Sequence, residues 1–246
     1  MSEIIRDVAE MLDDLGMTTA AIRWKQVIES PDLSSYTFEQ LMREVFTEQY
    51  IEAINKRTKG NLNNSKLTNK SAKIENLKSQ NGRRYNDETV KQILRFGFVS
   101  SGLNVGIYGK TGAGKSYFTS ALCYEACYQN YRCRYVDYCD LLDELISLAN
   151  DNDKLKKYTK KLRQYSRFRI LFIDDFCISR YSEQGIKCLY HLIKTRDELG
   201  FPTVFNSQHD PSEWGKTLSD DPECYGMLDG IRRRLTKGFT VQIVLE

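Results

Sequence analysis

No metal-binding cysteine pattern is present. The seven cysteines lie at 123, 127, 133, 139, 177, 188 and 224, and no two of them form CxxC. The two histidines, His191 and His209, are not spaced as ligands, which argues against a zinc site. An odd cysteine count argues against a disulfide framework and leaves the thiols as small apolar packing groups. No apolar run approaches the ~18 residues that a membrane span needs. The start of the chain, Met1 to Asp14, is acidic and amphipathic, without the basic opening and unbroken apolar stretch of a signal peptide. These absences point to a reduced, cytoplasmic protein with no membrane partner. No internal repeat is visible.

What is there suits a medium domain and a smaller one. The chain has 246 residues, of which 41% are hydrophobic and 28% charged, enough for a packed core in a soluble protein. The net charge of +3 hides a strong segregation. Residues 1–54 carry 4 basic and 11 acidic side chains, whereas 55–84 carry 9 basic and 1 acidic. Residues 154–169 hold 8 basic side chains and no acidic one. Concentrated basic stretches in a nearly neutral chain suggest a polyanion partner.

Ile4, Ile5, Val8, Met11, Leu12 and Leu15 follow helical spacing, and Gly16 fits a stop. Thr37 with Gln40 forms a capping-box pattern before a second helix, about 38–57. Residues 1–58 therefore read as a small all-α domain. Residues 59–84, rich in Asn, Lys and Ser, read as a basic flexible arm. From about 100 onward, short β runs alternate with helices. The runs are 104–108, 134–136, 170–173, 203–205 and 240–245. The helical stretches are about 140–150, 154–165, 183–199 and 224–236. That alternation implies an α/β fold, a parallel sheet with helices on both faces, over residues 85–246.

The first β run leads into Gly109-Lys110-Thr111-Gly112-Ala113-Gly114-Lys115-Ser116, which matches GxxxxGK[ST], followed by Tyr117 in a helical pattern. Glycines let backbone N–H groups curl round a phosphate, and the following helix points its positive end at the same anion. Lys115 is expected to reach the β- and γ-phosphates of a nucleoside triphosphate, and Ser116 to offer its hydroxyl to Mg²⁺. Ile170-Leu171-Phe172-Ile173-Asp174-Asp175 is a buried strand ending in two acids, at the end where a parallel sheet binds ligands. Asp174 is expected to hold Mg²⁺ through water, and Asp175 to orient or deprotonate the attacking water. A third strand runs into Asn206-Ser207-Gln208, which either contacts the γ-phosphate and water or merely caps the strand. Arg232-Arg233-Arg234 falls toward the end of the helical stretch at about 224–236. It is either an arginine offered to a neighbour's γ-phosphate or a basic helix end favoured by the dipole.

Together these residues resemble the IstB-type ATP-binding proteins of insertion sequences, relatives of DnaC-type helicase loaders in the AAA+ superfamily. The similarity runs from Ser35-Tyr36-Thr37-Phe38-Glu39 through the P-loop and Asp174-Asp175-Phe176. It continues to Ser207-Gln208, Trp214, Asp229, Ile231 and Arg234-Leu235. The resemblance implies ATP and Mg²⁺ as cofactors, with slow hydrolysis stimulated by DNA and self-assembly. It implies an arginine finger at Arg234 and a sensor position at Ser207 and Gln208. It further implies a homo-oligomer with ATP sites between subunits, assembly on double-stranded DNA, and a transposase as client. Cys177, Arg233 and Asn206 depart from the family pattern, which usually has a glycine, an acid and a small hydroxyl residue there.

With that resemblance, the second basic stretch becomes a DNA-binding candidate. Lys156, Lys157, Lys160, Lys161, Arg163 and Arg167 cluster at helical spacings, with Tyr158 and Tyr165 interleaved. A helicase loader shares the same core and is the alternative reading. A small-molecule P-loop kinase would need an arginine-rich lid, and 150–169 is mostly lysine. A GTPase lacks its NKxD motif here. A nucleotide-gated DNA scaffold with little turnover is a further alternative.

Overall fold

The computed structural model describes residues 2–77 and 83–245. They divide into two compact units, Met1–Gly60 and Asn61–Glu246. The first unit is helical: α1 (Ser2–Asp14), α2 (Thr18–Ile28) and most of α3 (Phe38–Ser65). Gly16 takes φ +73° and ends α1, as its position suggests. Thr37 and Gln40 form the reciprocal capping box that opens α3: Thr37 N–H donates to Gln40 Oε1 at 2.8 Å, and Gln40 N–H to Thr37 Oγ1 at 3.3 Å. Small side chains let α2 pack closely, with Ala20, Ala21 and Val27 buried. An Arg23–Glu44 ion pair ties it to α3. The sequence pattern missed α2 because its buried face is built from alanine rather than large apolar residues.

The second unit continues through β1 (Arg83–Arg84), α4 (Asp87–Leu94), α5 (Gly97–Ser101), β2 (Asn104–Tyr108), α6 (Lys115–Tyr128) and β3 (Cys133–Asp137). It goes on with α7 (Tyr138–Ala149), α8 (Leu155–Ser166), β4 (Ile170–Phe176), α9 (Glu183–Glu198) and β5 (Thr203–Ser207). It closes with α10 (Trp214–Leu218), α11 (Tyr225–Leu235), β6 (Gly238–Gln242) and β7 (Val244–Leu245). The run expected as one strand over 240–245 is two. β6 joins the main sheet and β7 pairs antiparallel with β1. Between them, Ile243 N–H donates to the Tyr108 carbonyl at 2.8 Å.

The main sheet has the order β3-β4-β5-β2-β6, and every neighbouring pair is parallel. Alternate side chains serve two cores. Leu171 and Ile173 of β4 with Phe205 of β5 meet α7, α9 and α11 on one face. Ile170 and Phe172 with Val204 meet α4, α5 and α6 on the other. This period-2 division across near-continuous apolar strands explains why they read as fully buried. α4 and α5 were missed because each is only a turn or two long.

The stretch read as a flexible arm, 59–84, differs from that expectation. Residues 59–65 complete α3, and Ser65, Leu67 and Ala72 are buried. The Lys73 ammonium lies 3.6 Å over the Tyr124 ring, and a short 3₁₀ turn covers Ile74–Asn76. Sparse apolar anchors at 62, 67, 72 and 77 suffice to hold a chain whose composition is otherwise polar. Residues 78–82 of that stretch lie outside the described residues.

One buried cation links three elements. Arg196 of α9 is 1% exposed and faces carbonyls rather than a carboxylate. Its Nη1 donates to the carbonyls of Tyr165, Ser166 and Phe168, its Nη2 to that of Pro202, and its Nε to Thr203 Oγ1. It thereby caps the C-terminus of α8 and anchors it to the start of β5. Burial pushes its pKa down to about 9. Replacing Arg196 by Leu strands these buried acceptors. It should cost about 3 kcal/mol or more in urea unfolding, with an unchanged m-value. A loss under about 1 kcal/mol would show that the carbonyls find other donors.

Candidate nucleotide site

β2 is buried along its whole length and delivers the chain to the glycine loop at the C-terminal edge of the sheet. Gly114 takes φ +96° and sits immediately before α6, a backbone state that side chains disfavour. At Gly109 a Cβ would come within 2.5 Å of the Ile243 carbonyl. The loop therefore needs glycine for two reasons, one conformational at Gly114 and one steric at Gly109, where Ile243 between β6 and β7 approaches. Lys115 is 5% exposed, and its ammonium donates to the Lys110 carbonyl at 3.0 Å. Burial lowers its pKa, and the charges of Asp175 and Asp174 oppose that shift.

A cleft of about 320 Å³ opens over the loop, lined by Thr111, Gly112, Gly114, Lys115, Ser116, Tyr117, Asp175 and Gln208. The strand order explains this company. β5 lies between β2 and β4, so Gln208 and the acidic pair emerge beside the glycine loop. Gln208 Oε1 accepts from Thr111 Oγ1 at 2.7 Å. Ser207 is fully buried, and its hydroxyl accepts from the His209 N–H at 3.1 Å. Of the two, Gln208 reaches the cleft and Ser207 closes the turn behind it.

The acidic pair divides. Asp175 lines the P-loop cleft with φ +51°, and burial, then the Asp174 charge, raise its pKa. Asp174 lines the neighbouring cleft on the β3 side. Its Oδ2 accepts from the Tyr135 hydroxyl at 2.5 Å, and its Oδ1 from Asn206 Nδ2. Asn206 also accepts from the Asp175 N–H at 3.0 Å and donates to Thr119 Oγ1 at 3.0 Å. Cys177 takes φ +66° two residues on, which accounts for a family that usually places glycine there.

The oxygen donors fit Mg²⁺. In the P-loop cleft Ser116 offers a hydroxyl and Asp175 a carboxylate, hard ligands that suit a small dication. Among the described residues no group of three or more His, Cys, Asp or Glu could hold a metal alone.

Arg234 is turned into its own chain. Its guanidinium lies 3.4 Å from Asp197, donates to the Gly230 carbonyl at 2.9 Å, and stacks 5.4 Å from the Tyr190 ring centroid. Arg232 pairs with Asp229 at 2.7 Å, and Arg233 is exposed. On α8, Lys156, Lys157, Lys160 and Arg163 are exposed, as is Arg167 at its C-cap, but Lys161 is half-buried and pairs with Glu144 at 2.7 Å. Tyr158 and Tyr165 pack into the core instead of flanking the lysines. The exposed positions 156, 160, 163 and 167 form one stripe, opposite the packed positions 158, 162 and 165.

A parallel sheet in this order, with a glycine loop entering a helix and acids at the end of a strand two places away, defines a P-loop AAA+ core. Residues 10–242 match the IstB-like ATP binding protein family, and the chain belongs to it. It is 21% identical over 222 residues to a protein of insertion sequence IS5376 from Geobacillus stearothermophilus that is named for ATP binding. That match covers 90% of this chain and 86% of the relative. The structure is similar to the replication initiator DnaA bound to AMPPCP and single-stranded DNA, with a TM-score of 0.59 and 22% identity. That likeness covers 74% of this chain and about half of that one, 52%. It is also similar to DnaI, with a TM-score of 0.55 and 20% identity over 71% of this chain and 92% of that chain. At these identities the two structures speak for the fold alone. No helix among the described residues is long and apolar enough to cross a membrane.

The raised Asp175 pKa has a consequence for stability. Below the ordinary aspartate range the group is neutral folded or unfolded, and the site is at no disadvantage. As pH rises from the ordinary aspartate pKa through the raised one, ionisation is resisted only in the folded state, so stability is lost. Asp175→Asn should therefore melt higher than the parent at pH 7, and the gain should shrink toward pH ~4. A melting difference that stays constant over that range would contradict the burial effect.

Proposed function

We propose that this chain binds and hydrolyses ATP with Mg²⁺, assembles on double-stranded DNA through contacts between copies, and serves the transposase of an insertion sequence. The observation that carries the reading is the convergence of the glycine loop, Asp175 and Gln208 on one cleft in a member of the IstB-like family. Lys115 and the loop N–H groups take the β- and γ-phosphates. Ser116 would offer its hydroxyl to Mg²⁺ beside Asp175, and Asp174, which lines the neighbouring cleft, would reach the ion through water. The metal supplies charge neutralisation on the phosphate oxygens. Asp175 orients the attacking water, and Gln208 senses the γ-phosphate from the tip of β5.

The base has a place beside the phosphates. A cavity of about 240 Å³, lined by Leu77, Tyr85, Tyr117, Phe118 and Ile243 among others, shares Gly114 and Tyr117 with the P-loop cleft. Its apolar and aromatic walls suit a flat purine.

For assembly, an arginine at the end of α11 acts on the nucleotide of a neighbouring copy. Arg233 is already exposed, while Arg234 must first leave Asp197 and Tyr190. The α8 stripe of Lys156, Lys160, Arg163 and Arg167 tracks the DNA backbone, with Lys157 at its flank. Lys161 stays with Glu144. Relatives named for insertion sequences favour a transposase client over a helicase.

Three outcomes test this. Lys115→Ala should weaken ATP binding by about tenfold to a hundredfold, the value of a charge-assisted hydrogen bond, in a fluorescent-nucleotide titration. Asp175→Asn should keep ATP binding while losing turnover in a phosphate-release assay. Duplex DNA binding should weaken steeply with salt, and Lys160→Ala with Arg163→Ala should flatten the slope by about 0.9 for each phosphate no longer neutralised. A flat salt dependence in the parent protein would remove the DNA reading, and normal turnover by Asp175→Asn would remove its catalytic role.

A further inference from the structure

The Asp174 carboxylate is gripped from two sides, and each grip leads back to the helix that follows the glycine loop. On one side the Tyr135 hydroxyl donates to Oδ2 at 2.5 Å, while accepting from Ser120 Oγ at 3.3 Å. On the other, Asn206 Nδ2 donates to Oδ1 and also to Thr119 Oγ1 at 3.0 Å. Thr119 Oγ1 in turn donates to the Lys115 carbonyl at 2.9 Å. Thr119 and Ser120 lie one turn beyond Lys115 and Ser116 on α6. The carboxylate is thus indexed to the same helix that carries the phosphate-binding lysine.

Tyr135 has no catalytic precedent in the motif spacing, since it lies in β3 at the edge of the sheet. It is 6% exposed, so its hydroxyl must find partners inside the protein, and those partners are a carboxylate and a serine. An ionised carboxylate can only accept, so the tyrosine proton is directed at Asp174. Burial, then the Asp174 charge, keep that hydroxyl protonated. Phenylalanine would fill the same volume without the grip.

We propose that Tyr135 is a positioning residue for Mg²⁺: it holds Asp174 in the orientation that receives a metal-bound water, and so sets the Mg²⁺ requirement of nucleotide binding. This rests on the ATP–Mg²⁺ reading above. Partners that orient a metal-facing carboxylate commonly govern affinity by about tenfold or more.

The test uses the full-length chain and a fluorescent ATP analogue, titrated with and without Mg²⁺, with melting temperature as a check on folding. Tyr135→Phe should leave nucleotide binding without Mg²⁺ near the parent value. It should raise the Mg²⁺ needed for half-maximal enhancement by about tenfold. Ser120→Ala, which disturbs the hydroxyl without touching ring packing, should raise it less and in the same direction. An unchanged Mg²⁺ requirement in a folded Tyr135→Phe overturns the proposal, as does an equal loss of binding with and without Mg²⁺. Should Tyr135→Phe not fold, Ser120→Ala decides, and no rise there overturns it. Lys115→Ala separates the two claims: if that variant binds the analogue like the parent, the ATP reading fails and the role of Tyr135 falls with it, whereas weakened binding there with an unchanged Mg²⁺ requirement in Tyr135→Phe overturns the role of Tyr135 alone.

Discussion

Asn206 is fully buried at the end of β5, and a buried amide must spend its hydrogen bonds inside the protein. It does so on two neighbouring elements at once. Its oxygen accepts from the Asp175 N–H of β4, and its nitrogen donates to Asp174 and to Thr119 of α6. The left-handed backbone at Asp175 is held by that first bond. The position works only because β5 is inserted between β2 and β4 in the sheet. A polar residue one step earlier or later on β5 would face another direction, as Ser207 does toward the His209 turn.

Around this amide the charges are arranged for a ligand rather than for one another. Lys115 is nearly buried and its ammonium faces a carbonyl, not a carboxylate. Asp175 is partly buried beside Asp174, and its ionisation is resisted. Both arrangements cost stability in the isolated chain, and the proposed triphosphate with its metal would relieve them by offering anionic oxygens to the lysine and a cation to the acids. Membership of the IstB-like ATP-binding family agrees with that electrostatic need.

The strands that build the site were legible because they are short apolar runs that end in diagnostic residues. β2 runs 104–108 as read, and β4 and β5 extend only a few residues beyond the expected spans. The glycine loop was legible because backbone geometry demands glycine at set spacing. Side-chain direction was not legible. Spacing alone placed Lys161 with its neighbours on α8, whereas it faces Glu144. Likewise, the arginine triplet gave no sign that Arg234 turns inward to Asp197 while Arg233 stays exposed. Tyr135 falls in the stretch that carries the family resemblance, but nothing in the sequence pointed to a role for it, because one tyrosine in a β run looks like core. The composition of 59–77 concealed a bound segment, since charge density outweighs a few apolar anchors in any window average.

The central claim is that the cleft at Lys115 and Asp175 is one half of a shared ATP site, so that nucleotide and DNA together drive assembly. Electron microscopy of the chain with duplex DNA and a non-hydrolysable ATP analogue tests it most directly. Ordered oligomers on DNA should form only when both are present, with an arginine from the end of α11 of one copy beside the nucleotide of the next. Particles that remain single copies at saturating nucleotide and DNA, or oligomers with the nucleotide remote from any interface, would contradict it.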